Sequence, residues 1–167
     1  MMHPLAHPNV LDLDALLQKL ASLRVAGKKI VFTNGCFDIV HPGHVDLLER
    51  AKAEGDVLVL GLNSDASVRR QGKGADRPFN PYEARAFVLA HLRSVDFVTG
   101  FDEDTPLALI AAIRPDVLAK GGDWSVERIV GNELVAAAGG RVLSLPLIEG
   151  FSTTGLAERI RHGAADF

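Results

Sequence analysis

The stretch Lys29-Ile30-Val31-Phe32-Thr33-Asn34-Gly35-Cys36-Phe37-Asp38-Ile39-Val40-His41-Pro42-Gly43-His44 changes character twice along its length. Lys29 to Asn34 is a short apolar run rich in β-branched and aromatic residues, the pattern of a strand buried on both faces. Gly35 breaks it. Pro42 then suits the first position of a helix that runs to about Glu54, and Gly55 closes that helix. A buried strand, a glycine loop and a helix in succession are the opening unit of an α/β fold with a parallel sheet.

The rest of the chain repeats that alternation. Upstream, Leu13, Leu16, Leu17, Leu20 and Leu23 line one side of a helix from about Leu11 to Val25. Downstream, strands are expected at Asp56–Leu62, Val95–Thr99, Pro115–Lys120 and Arg141–Pro146. A polar stretch, Asn63 to Pro78, reads as a functional loop preceded by a short helical turn. Asn80, Pro81 and Glu83 have the spacing of a capping box for a helix to about Leu92. Thr105 and Pro106 open a helix ending near Ile113, Ser125 is expected to cap one reaching Ala138, and a last helix runs from near Ser152 to about Arg161. Right-handed crossovers give a Rossmann-like, doubly wound parallel sheet of five strands. Residues 10–167 form one domain in this reading, with Met1 to Asn9 as a mobile tail and Gly163 to Phe167 fraying.

Composition bounds the function. A chain of 167 residues, 47% hydrophobic and 23% charged, suits a single folded core. Its single cysteine excludes an intramolecular disulfide. A net charge of −3 argues against a nucleic-acid partner. No apolar run approaches the roughly 20 residues that span a bilayer, and the N-terminus lacks the pattern of a secretory signal. A cytoplasmic protein that spans no membrane is expected.

Ligands of open parallel sheets sit beyond the carboxyl ends of the strands. There the chain places Gly35–Gly43, Asn63–Pro78, Gly121–Trp124 and Glu149–Thr154, rich in glycine and polar side chains, whereas the opposite turns are plain. His41 and His44, three apart at a helix start, project from one side of its first turn. Gly43 between them lets a ligand approach the backbone. A helix N-terminus attracts anions, and two imidazoles beside it suit hydrogen bonding to charge developing on phosphorus. A metal-binding or surface histidine pair is the alternative, but no third ligand stands at suitable spacing.

His41-Pro42-Gly43-His44 after Gly35-Cys36-Phe37-Asp38 resembles the HxGH signature of the cytidylyltransferase-like nucleotidyltransferases. Further motifs follow in order: Lys73-Gly74, Arg77-Pro78, Asn80-Pro81, Glu83 to Ala86 with Arg85, Phe101 to Pro106, Lys120-Gly121-Gly122-Asp123, Ile129-Val130-Gly131 and Gly150-Phe151-Ser152-Thr153-Thr154. Together, over roughly Ala26 to Arg161, they resemble the heptose 1-phosphate adenylyltransferase family. Trp124 stands where that family leads us to expect tyrosine, and Gln71-Gly72 precedes the loop lysine.

The resemblance implies transfer of AMP from ATP to heptose 1-phosphate, giving ADP-heptose and pyrophosphate for lipopolysaccharide precursors. It also implies Mg2+ held mainly by phosphates and water, with no protein metal ligand assigned, a homodimer, and a separate sugar kinase acting upstream. His41, His44 and Lys73 are the expected catalytic residues. Thr33, Asn34, Gly35, Cys36, Phe37, Gly43, Lys120, Gly122, Asp123, Ser152, Thr153 and Thr154 are expected to bind the nucleotide. Asp38, Asn63, Arg69 and Arg85 are candidates for the sugar phosphate, with turn capping the alternative for Asp38 and ion pairing for Arg85. His3, His7, His91 and His162 read as incidental. Two rival functions remain: a cytidylyltransferase acting on glycerol 3-phosphate or a similar alcohol, and a non-catalytic nucleotide-binding module.

Overall fold

A computed structural model describes residues 5–72, 74, 76–122 and 124–163. Five strands, β1 (Ile30–Gly35), β2 (Val57–Asn63), β3 (Phe97–Phe101), β4 (Val117–Gly121) and β5 (Arg141–Leu145), form one parallel sheet in the order β3-β2-β1-β4-β5. Seven α-helices among the described residues connect and flank them: α1 (Leu13–Val25), α2 (Pro42–Lys52), α3 (Asp65–Arg70), α4 (Tyr82–Ala90), α5 (Leu107–Ile113), α6 (Asn132–Ala137) and α7 (Thr153–His162). None is long and apolar enough to cross a membrane.

Period-two alternation along the strands divides the core in two. Val31, Leu58, Leu60, Val98, Val117 and Ala119 face one side, against Leu48 and Ala51 of α2 and Ala86 and Leu89 of α4. Ile30, Phe32, Val57, Val59, Phe101 and Leu118 face the other, against Leu16 and Leu20 of α1, Ile110 and Ile113 of α5, and Val135 of α6. Helices therefore cover both faces, as the uninterrupted apolar strands require. Asp12 caps α1, its side chain accepting from the Ala15 N–H at 2.8 Å.

The winding direction changes at β1. From its carboxyl end the chain crosses to β2 and β3 on one side, and later returns to β4 and β5 on the other. The seam between β1 and β4 is the switch point where such sheets take ligands.

Two expected helix starts differ in the structure. Asn80 does not cap α4, whose N-cap is Pro81. Its side-chain amide instead donates to the Asp38 carbonyl at 2.7 Å, a partner far away in sequence. The helix expected from Ser125 is a 3-10 turn at Val126–Arg128, a break, and then α6. Ile129 turns extended and is buried, and Gly131 is left-handed at φ 89°. A side chain on Gly131 would meet Ile110 at 2.7 Å, so the chain turns there on a residue with none.

At the other end, Met1 to Pro4 of the expected tail lie outside the described residues. Asn9 accepts from the Val98 N–H at 2.9 Å, Val10 bridges to Val98, and the His7 and His91 rings meet edge-on at 4.5 Å. The segment around Asn9 thus borders the β3 edge of the sheet. Ala164 to Phe167, most of the expected fraying end, also lie outside the described residues.

Candidate active site

Above the β1–β4 seam lies a cleft of about 320 Å3. The turn after β1 forms its centre, and that turn is tightly constrained. Phe37 adopts a left-handed backbone (φ 44°), an uncommon conformation for a bulky residue. Its ring folds back over Gly35, where a Cβ would lie 2.8 Å from the ring edge. The Cys36 carbonyl accepts from Arg85 Nη1 at 2.7 Å, and the Cys36 thiol donates to Gln71 at 3.2 Å. Asp38 is buried, accepting the N–H groups of Phe79 (2.8 Å) and Asn80 (3.0 Å) on Oδ1 and Arg77 Nη1 (3.0 Å) on Oδ2.

Pro42 starts α2 with His41 at its N-cap. The His41 and His44 rings stack, centroids 3.7 Å apart and inclined by 18°, and Phe37 packs 5.0 Å from His44. Gly43 makes this possible: a Cβ there would come within 3.2 Å of the His41 ring. Both imidazoles line the cleft.

Two flanks complete the wall. From the β4–β5 side come Lys120, Gly121 and Leu147, with Phe151 to Thr154 around the start of α7. Lys120 Nζ donates to the Asn34 carbonyl at 3.4 Å, and Ser152 caps α7 by accepting from the Gly155 N–H at 2.9 Å. From the β2 side come Val68 and Arg77.

Most of the expected nucleotide residues meet here: Asn34, Gly35, Cys36, Phe37, Gly43, Lys120, Ser152, Thr153 and Thr154 all border the cleft. Thr33 is 1% exposed and lies below the wall, its hydroxyl buried without a hydrogen-bond partner among the described residues. Gly122 is beside the wall, its carbonyl accepting from Ser144 Oγ at 2.6 Å. Lys73 and Asp123 lie outside the described residues.

Of the four sugar-phosphate candidates, Asp38 borders the cleft. Asn63 is buried and donates its amide to Ser67 Oγ at 3.0 Å. Arg69 is exposed on α3, away from the wall. Arg85 is buried and meets three internal acceptors: the Asn80 carbonyl at 3.0 Å, the Cys36 carbonyl at 2.7 Å and Asp65 at 2.7 Å. It shapes the loop from behind. Arg77 is a charged cleft residue that reasoning from sequence left without a role. Its sequence setting gave no hint, because an arginine in a polar loop reads as solvated and Asp38 lies 39 positions away.

Burial pushes the His41 imidazole below its ordinary value of 6.5, against a smaller upward pull from its own backbone. The unfolded chain then takes up that proton first as pH falls, so the stability tied to neutral His41 is complete above pH 6.5 and is lost below it. Unfolding free energy is expected to rise with pH across that interval, with a shallower slope in His41→Gln. Denaturant titrations over a pH series check this, and an equal slope in both proteins would overturn it.

Comparison with known proteins agrees with this architecture. A family model described as "Cytidylyltransferase-like" matches residues 32–159. The "Bifunctional protein HldE" of Geotalea uraniireducens (strain Rf4) is 52% identical over 162 residues, covering 97% of this chain and 33% of the relative. That of Bradyrhizobium diazoefficiens is 56% identical over 155 residues, covering 93% of this chain and 31% of the relative. The chain therefore spans about a third of the length of these curated relatives. A solved structure, the "lipopolysaccharide core biosynthesis protein from Thermoplasma volcanium GSS1", superposes with a TM-score of 0.59 at 26% identity, over 73% of this chain and 98% of that one. With its stacked His-x-Gly-His pair at the switch point of a five-stranded parallel sheet, this chain belongs to the cytidylyltransferase-like family.

Proposed function

We propose that this chain is an adenylyltransferase that moves AMP from ATP to a heptose 1-phosphate, releasing pyrophosphate. The observation that carries the reading is the imidazole pair between two flanks of one cleft. An in-line displacement brings the acceptor to one side of the α-phosphorus while pyrophosphate leaves from the other. The acceptor phosphate is already an anion, so no general base is required: its oxygen forms the new P–O bond as the bond to the β-phosphate breaks. His41 and His44 donate hydrogen bonds to the α-phosphate and the leaving bridge, where charge grows in the transition state. The start of α7, with Ser152, Thr153 and Thr154, receives the β- and γ-phosphates. The family resemblance assigns Lys73 to neutralising polyphosphate charge and Asp123 to hydrogen bonding a ribose hydroxyl. The relatives named HldE and the named lipopolysaccharide core protein support the heptose acceptor.

Mg2+ fits this site as a passenger of the nucleotide. Among the described residues Asp38 is the carboxylate bordering the cleft, and both its oxygens are engaged by protein donors. The ion would be held by phosphate oxygens and water, and it supplies charge neutralisation of the polyphosphate. A sugar kinase acting upstream supplies the sugar 1-phosphate in this reading, and pairing of two copies belongs to the same reading.

The test is pyrophosphate release with Mg2+ and heptose 1-phosphate, offering ATP, CTP and GTP in parallel. Rapid release with ATP alone is expected. Release with CTP and glycerol 3-phosphate would move the chain to the cytidylyltransferases, and nucleotide binding without release would make it a binding module.

A further inference from the structure

Arg77 is charged, 8% exposed, and on the wall of the cleft. Its guanidinium lies 4.3 Å from the centroid of the Phe79 ring, and Nη1 donates to Asp38 Oδ2 at 3.0 Å. Asp38 cannot follow a moving partner: its other oxygen holds the Phe79 and Asn80 N–H groups, and its carbonyl holds the Asn80 side chain. Ring and carboxylate thus fix a planar cationic fork in one orientation. A guanidinium offers five N–H donors, more than one carboxylate oxygen accepts. A buried ion pair is weak evidence for a purely stabilising role, because desolvation of both charges offsets their attraction. A fixed arginine fork does match the paired oxygens of a phosphate.

The reaction proposed above must seat two anions, a triphosphate and a phosphate monoester. The β4–β5 flank offers Lys120 and the hydroxyls at the start of α7. On the β2 flank, Arg77 is the cleft residue with a permanent positive charge among the described residues. The histidines arise from the turn between the flanks. We infer that Arg77, preset by Asp38 and Phe79, binds the phosphate of the acceptor monoester and so places its oxygen for attack. Asp38 is then a positioning residue that acts through Arg77. The inference rests on the proposed transferase reading for the identity of the acceptor.

Arg77→Lys and Arg77→Gln, compared with the parent protein, test it. Arg77→Lys keeps a charge opposite Asp38 and so preserves the fold if Arg77→Gln does not, which thermal melting reports. Apparent KM for heptose 1-phosphate is expected to rise about tenfold in Arg77→Lys and about thirtyfold or more in Arg77→Gln, with KM for ATP changed less than about threefold. A rise in both KM values in step would make the pair a structural brace and overturn the inference, as would an unchanged sugar-phosphate KM. Calorimetric titration of each protein with heptose 1-phosphate and with glycerol 3-phosphate separates the two readings. If the parent binds a monoester that Arg77→Gln loses, Arg77 stands even where turnover with ATP fails. If the parent binds neither, the inference fails.

Discussion

His41→Ala and His44→Ala are each expected to lower turnover at least about a hundredfold while most of the ATP affinity survives. In the proposed mechanism each change removes a donor aimed at charge that appears on the way to the transition state. The ground-state nucleotide would keep the contacts proposed for the turn after β1 and the start of α7. The two losses should not add. The rings stack 3.7 Å apart, so deleting either one removes a packing partner of the other and disturbs its placement as well. The double variant is therefore expected to be little slower than the worse single one. Rates under saturating substrates, with ATP affinity measured separately, decide the matter. Near-parental turnover in both single variants would remove the imidazoles from the mechanism.

The largest expected loss of stability is at Arg85. Arg85→Met removes a buried guanidinium and leaves the partly exposed Asp65 without its cation and the carbonyls of Cys36 and Asn80 without that donor. Because Asp65 still meets solvent, the cost is expected at the low end of the range for breaking a buried pair, about 3 kcal/mol. For a domain of this size that is a fall in Tm of roughly 10 °C. Arg85→Lys should recover only part of it, because one ammonium does not span three separated acceptors. Urea titration measures the difference, and a loss below about 1 kcal/mol would show that the network contributes little. A direct role at the sugar phosphate would give the opposite signature, an altered KM at unchanged Tm.

Arg85 and Asn80 mark where sequence stops being informative. The strands were legible because a strand buried on both faces is a continuous apolar run, whatever its neighbours. The paired histidines were legible because helix geometry alone puts residues three apart on one side. Asn80 has the spacing of a helix cap, but the winner in the folded chain is the Asp38 carbonyl, which no local pattern contains. Arg85 and Arg77 look alike in sequence, two arginines near carboxylates. One is sealed behind the loop and the other faces the cleft, and that difference is created by packing. The break before α6 depended on Ile110 occupying the space beside Gly131, again a contact between distant segments.

The seam beneath the cleft has a consequence for the order in which the molecule is made. Ile30 donates its N–H to Asp116 Oδ2, and Val31 pairs with Val117, across 86 positions of chain. The histidine turn leaves the ribosome before its facing wall, which arrives only with β4 and α7. A growing chain therefore carries the reactive imidazoles without the cavity that gives them a target. The cleft around the imidazoles is complete only once β4 and the start of α7 have been added to the chain.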